Sequence, residues 1–349
     1  MDVERRRLLG TAAYSVAALT LPGEQWWARM PDRGRARGAA GAHRVGRVDV
    51  EAVRDMTGLF RRIDQRRGGG HARTTVVRYL TIDVAGYLRG RFPDERVRRE
   101  MFTAASDLAY LAGWMAFDNA EHADAQACFT AAVKLAAEAD DPPMAGHVLC
   151  SMAEQSVDLG HLRQALDLAA ASMQGKRYAL ATPRERALLG ALYARTLAAA
   201  GEKRAAATAL NRAAGDLAAA EPGDEEPNRV LFFDEAALAD ETARTLTDTG
   251  DLSGAVRQFR HSVRTRKAAS FTRTHALTLG ELGAVQARQG NIEEACATWA
   301  HALDAMHGVR SRRTRQVAID MRSVLSPFRR RGLRTVTELD ARAASYLQE

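Results

Sequence analysis

Cysteine, lysine, proline and aromatic residues are all scarce in this 349-residue chain. Its three cysteines, Cys128, Cys150 and Cys296, show no CxxC pair and no histidine at ligand spacing. That excludes a disulfide framework and a thiolate metal site, and leaves small apolar side chains suited to a reducing compartment. Aromatics make up only 6% of the residues, too few for the faces of a β-sandwich, and nine prolines gather at a few joints. The longest apolar run, which ends at Leu21, is too short to span a membrane, so no stable membrane anchor is expected. Lysine occurs only at positions 134, 176, 203 and 267, so the formal charge of +7 rests almost wholly on arginine.

Hydrophobic residues reach 46%, with alanine dominant. Alanine-rich, aromatic-poor chains pack helix against helix, so the expected class is all-α. The basic balance suits an acidic partner or nucleic acid. With 43 acidic residues interspersed, arginine-biased composition is the simpler account, and nucleic-acid contact ranks second.

Four segments follow from composition. Residues 1–46 are a basic leader and linker. Arg5-Arg6-Arg7-Leu8-Leu9 and the apolar run to Leu21 look like a twin-arginine export signal. No small-x-small cleavage site follows, and Trp26, Trp27, Arg29, Arg33, Arg35 and Arg37 come next, so a cytoplasmic location is expected, with export as the alternative. Residues 47–104 form an N-terminal helical segment: a helix over Val48–Arg66 with Val50, Val53, Met56 or Thr57, and Phe60 inward, then one over Thr74–Gly90. Gly68-Gly69-Gly70 between them lacks the preceding strand and the Lys-Ser/Thr of a phosphate loop, and reads as a tight turn. Residues 309–349 read as capping helices, with Val317, Met321 and Leu325 at helical spacing among arginines.

Residues 105–308 repeat. Small residues stand at Gly113, Ala153, Ala194, Ala243 and Gly283. Seven on come Ala120, Gly160, Gly201, Gly250 and Gly290, and five further on Ala125, Ala165, Ala206, Ala255 and Ala295. Then follow Phe129, Ala169, Leu210, Phe259 and Trp299, and lastly Ala132, Ser172, Ala213, Ser262 and Ala302. Small residues where two helices cross, a turn glycine and a large residue beside the crossing describe a helical hairpin made to stack on copies of itself.

This column pattern resembles the tetratricopeptide repeat, with a period nearer 40 than 34 residues and most of the terminal prolines missing. The resemblance implies a right-handed solenoid of about five hairpins whose concave groove holds a peptide, a protein or a small signalling molecule. The wider combination of Asp49-Val50-Glu51-Ala52-Val53, Gly68 to Arg73, Leu111 to Asp118 and Ala125-Gln126…Phe129 is similar to the repeat region of actinobacterial Xre-type transcriptional regulators. Some relatives of that kind are labelled twin-arginine signal proteins. No helix-turn-helix precedes the match here, so the resemblance implies a regulatory role, in secondary metabolism or development, without direct promoter binding. A DNA-binding regulator lacking its N-terminal domain is the alternative, and a homodimer is allowed for.

Projection from the small column places Tyr110, Trp114, Phe117, Asp118, His147, Glu154, Asp158, Arg195, Asp240, Arg244 and Arg288 on the groove. Aromatics beside charges of both signs suit a peptide or an amphiphilic molecule. Asp118 and Glu154 could form an acid/base pair, but no nucleophile, metal cluster or phosphate loop accompanies them. The expectation is a non-enzyme with no catalytic residues, metal or cofactor.

Overall fold

The computed structural model describes residues 44–221, 223–329 and 334–348, and the readings of the export signal and linker before residue 44 lie outside them. Among the described residues the chain is all-helical, its only bridge joining Arg44 to Arg91. Helix α1 spans Arg47–Arg67 and buries Val50, Val53, Thr57 and Phe60, a stripe at helical spacing that chooses Thr57 over Met56. Helix α2, Arg73–Tyr79, passes through a π-turn at Leu80–Val84 into a last turn at Ala85–Leu88.

Six antiparallel helix pairs follow. They are α3 (Glu95–Asp118) with α4 (His122–Glu138), α5 (Pro142–Asp158) with α6 (Leu162–Ser172), and, after the short α7 (Lys176–Ala179), α8 (Pro183–Ala199) with α9 (Lys203–Ala218). Then come α10 (Glu235–Thr249) with α11 (Leu252–Thr265), α12 (Thr272–Arg288) with α13 (Ile292–Met306), and α14 (Arg312–Arg329) with α15 (Arg334–Gln348). The sixth pair stands where the capping helices were expected. The boundary expected at residue 104 falls inside α3, which runs unbroken into the first hairpin.

The sequence columns explain the hairpins. Asp94, Asp141, Asp234 and Asp251 each accept a backbone N–H from three residues on and so start α3, α5, α10 and α11. Each of the first five hairpin turns has one left-handed residue, and four glycines supply it: Gly160, Gly201, Gly250 and Gly290, with φ between 77° and 94°. The first hairpin uses Ala120, at φ 57°. Where the paired helices cross, a Cβ on Gly113 would lie 2.7 Å from the Phe129 ring. One on Gly283 would collide with the Trp299 indole, whose Nε1 donates to the Gly280 carbonyl at 2.9 Å. The small and large columns are thus one packing device.

Each apolar cluster joins neighbouring units in chain order, and none includes residues from both the first helices and the last two pairs. Yet these ends meet: α12 lies against α1, and the backbone of Arg310 pairs with the turn after α1. The solenoid therefore closes, and its concave face becomes an interior.

Candidate functional site

The closure is built from polar groups. Arg273, on the first turn of α12, is 2% exposed and donates through Nη2 to Asp64 of α1 at 2.9 Å and through Nη1 to Asp118 of α3 at 2.8 Å. Asp118 also accepts from the Ser311 hydroxyl and from the Gly69 backbone N–H, both at 2.9 Å. Gly70 N–H donates to the Arg310 carbonyl at 3.0 Å, and Arg310 N–H to the Arg67 carbonyl at 2.6 Å. The glycine run makes this approach possible, since a Cβ on Gly68 would strike the Arg310 carbonyl and one on Gly69 would strike Met115 of α3.

Behind the seam lies a cavity of about 100 Å³. Seven helices contribute to its wall. Arg61 and Asp64 come from α1, Tyr110 and Trp114 from α3, and His147, Ser151 and Glu154 from α5. Leu188 and Leu192 come from α8, while Asp240, Glu241 and Arg244 come from α10. Arg273, Thr274 and Leu277 of α12, Arg313 of α14, and Phe232, Phe233, Arg266 and Phe271 from the connections also line it. Two latch residues, Asp64 and Arg273, are therefore also cavity wall.

The charges of this wall pair with one another across the units. Glu154 accepts from Arg195 at 3.1 Å and lies 3.5 Å from Arg313. Arg244 bridges Asp240, at 3.0 Å, and Glu281 of the next unit. Asp240 in turn accepts from the Thr278 hydroxyl at 2.8 Å. Burial alone would raise both acids, but Arg195 and Arg313 hold Glu154 below the usual carboxylate range, and Arg244 with Arg266 does the same for Asp240. At two other wall acids burial outweighs the cations. Glu241, 3.9 Å from Arg195, is pushed up to about 7, and Asp64 to about 6 despite Arg273. His147 is fully enclosed and held neutral by burial and by the Arg229 and Arg61 charges. Its ring stands edge-on to Tyr110 at 4.5 Å, and neither ring nitrogen has a hydrogen-bond partner.

Six of the eleven groove candidates line this cavity: Tyr110, Trp114, His147, Glu154, Asp240 and Arg244. The others do not. Phe117 is 2% exposed and packs as core beneath Trp114, with Arg313 over its ring. Asp118 is wholly buried in the seam, committed to Arg273, Ser311 and Gly69, and does not line the cavity that Glu154 faces. Arg195 stands behind the wall, between Glu154 and the exposed Asp158, and Arg288 is exposed at the far end of α12. No family model matches this sequence, and comparison with curated proteins returns no match.

Sequence reasoning missed Arg61, Asp64, Arg266, Arg273 and Arg313. Arg273 carried a readable signal. It precedes Ala276, Gly280 and Gly283 by three, seven and ten residues, so it occupies the buried stripe of α12, where an arginine requires buried acids. Among the described residues no group of three or more His, Cys, Asp or Glu side chains is arranged to hold a metal ion, and no helix is long and apolar enough to cross a membrane.

Proposed function

We propose that this chain is a non-catalytic regulatory protein that binds a small signal molecule inside its closed helical solenoid and passes that state to a partner, in transcriptional control. The observation that carries the reading is the closure. An open groove would lay a peptide along its length, whereas this concave face is shut by Arg273 over a cavity walled by seven helices. Enclosed clefts with apolar walls and a few polar groups are the usual form of small-molecule sites. The aromatic and ionic side chains are spent on one another, which supports binding over catalysis.

Thr274→Leu fills the cavity from a half-buried position on the first turn of α12 without replacing a member of the ion pairs. In a thermal-shift screen of small compounds, ligands should raise the wild-type melting temperature and lose that effect in Thr274→Leu. If no compound separates the two proteins, the reading fails.

A regulator that touches nucleic acid is the second reading, supported by the outer face of the seam. Arg66, Arg67, Arg310 and Arg312 are exposed there and make no ion pair among the described residues. Phosphate contacts of this kind weaken steeply with salt. Anisotropy of a labelled duplex should then fall with salt and with Arg310→Gln; binding indifferent to both would exclude the patch.

A further inference from the structure

A cavity with so many charged residues in its wall suggests an ionic ligand, but their pairing points the other way. Arg61 donates to Asp107 at 2.5 Å, and Arg273 is held between Asp64 and Asp118. Glu154 faces Arg195 and Arg313, while Asp240 and Glu281 flank Arg244. Arg266, the one lining arginine without a carboxylate within bonding distance, donates to the Ala236 carbonyl at 3.1 Å and to the Ser262 hydroxyl at 3.0 Å. An ion entering this space would lose its hydration and find only Arg266 and Glu241, of opposite sign, without a close ionic partner, the costly case for burial.

Between the pairs the wall is apolar, with the Tyr110, Trp114, Phe233 and Phe271 rings and Leu192 and Leu277. The wall's polar atoms without a hydrogen-bond partner belong to charged side chains, with one neutral exception. His147 is 1% exposed and neutral, and its two ring nitrogens, one donor and one acceptor, lack hydrogen-bond partners. The room available suits several waters or one small ring system with a short polar substituent.

We propose that the cavity takes an uncharged, ring-sized amphiphile, its ring among the aromatic and leucine side chains and its hydroxyl, carbonyl or amide on His147. This rests on the reading of the cavity as a ligand site, and it names the class of ligand. The full chain is dialysed to equilibrium against three compounds on one ring: 1-naphthylmethanol, 1-naphthoate and 1-naphthylmethylammonium. The alcohol should bind one per chain, about tenfold or more tighter than either ion, a difference of the order set by burying an uncompensated charge. Thr274→Leu and, as a second cavity-filling variant, Leu192→Phe should both abolish that binding. His147→Phe should weaken the alcohol by about fivefold or more, through loss of its hydrogen bond. Either ion binding as tightly as the alcohol, through a site that Thr274→Leu closes, overturns the inference but leaves the cavity a ligand site. No saturable binding of the alcohol also overturns it. Failure of the whole reading is separate: no compound in the thermal-shift screen would then distinguish wild type from Thr274→Leu.

Discussion

Two kinds of joint hold this molecule together, and they differ in almost every respect. Within successive hairpins the contact is apolar, repeated and local in the chain, with Gly113 under Phe129 and Gly283 under Trp299, and the ion pairs that join neighbouring hairpins lie on the inner face. The seam between first and last units is polar and occurs once, and it links groups 155 and 209 residues apart at Arg273. Apolar contacts stabilise by area and tolerate small shifts, whereas a buried ion pair is sensitive to geometry and to loss of one partner. The solenoid's body is thus built by repetition and its closure by a single polar latch.

The largest expected effect breaks the latch. Arg273→Ala leaves Asp64 and Asp118 buried without their cation, a loss on the order of 3–5 kcal/mol. Urea denaturation should show that loss, and amide exchange should rise first at Gly70 and Arg310, whose backbone bonds cross the seam. Equal acceleration in every hairpin would show that the seam is no separate joint.

Gly283→Ala tests the other kind of joint. Its new methyl would strike the Trp299 indole, which is 1% exposed and has nowhere to retreat. Overpacking of this kind costs about 1–3 kcal/mol. Exchange should accelerate in α12 and α13 and leave the Gly70 amide at its wild-type rate. A faster Gly70 amide would mean that the two joints are coupled.

The contrast also explains what could be read from the sequence. The first five hairpins, with their turn residues and crossing pairs, appear in register because five copies average out chance, and Gly250 or Ala295 could be placed from the sequence alone. Closure involves residues that have no repeat to announce them. Asp64 sits in a helix outside the repeats, and nothing in a local pattern pairs it with Arg273. The groove projection found six wall residues because the small column fixes the inward face of each first helix. It failed at Phe117 and Arg288 because a helix in a closed ring turns only part of its length toward the centre.

A smaller effect lies on the inner face, where the pairing is incomplete. Glu241 is pushed up to about 7 by burial, above its unfolded value, so it favours folding fully at low pH and loses that contribution as pH rises toward 7. Glu241→Gln keeps the shape and removes the titration. Its urea midpoint should match wild type near pH 4 and exceed it at pH 8. An advantage for wild type at pH 8 would mean that Arg195, at 3.9 Å, pairs with Glu241 strongly enough to offset burial.

The smallest effect concerns the one hairpin among the first five whose turn departs from the pattern. Four turns place glycine in the left-handed region, but the first places Ala120 there, at φ 57°. A Cβ in that region crowds the following carbonyl at a cost of roughly 1–2 kcal/mol, and replacing it with glycine gives back part of that through the greater freedom of the unfolded chain. Ala120→Gly should therefore stabilise the protein by about 1 kcal/mol, while Gly160→Ala at the matching turn should destabilise it by a similar amount. Both turns have open space around them or face solvent, so packing does not confuse the comparison at Gly160. Opposite shifts in the urea midpoint would show that the turn column is a backbone requirement. A loss of stability in both variants would show instead that the Ala120 methyl makes a contact worth more than the strain it carries.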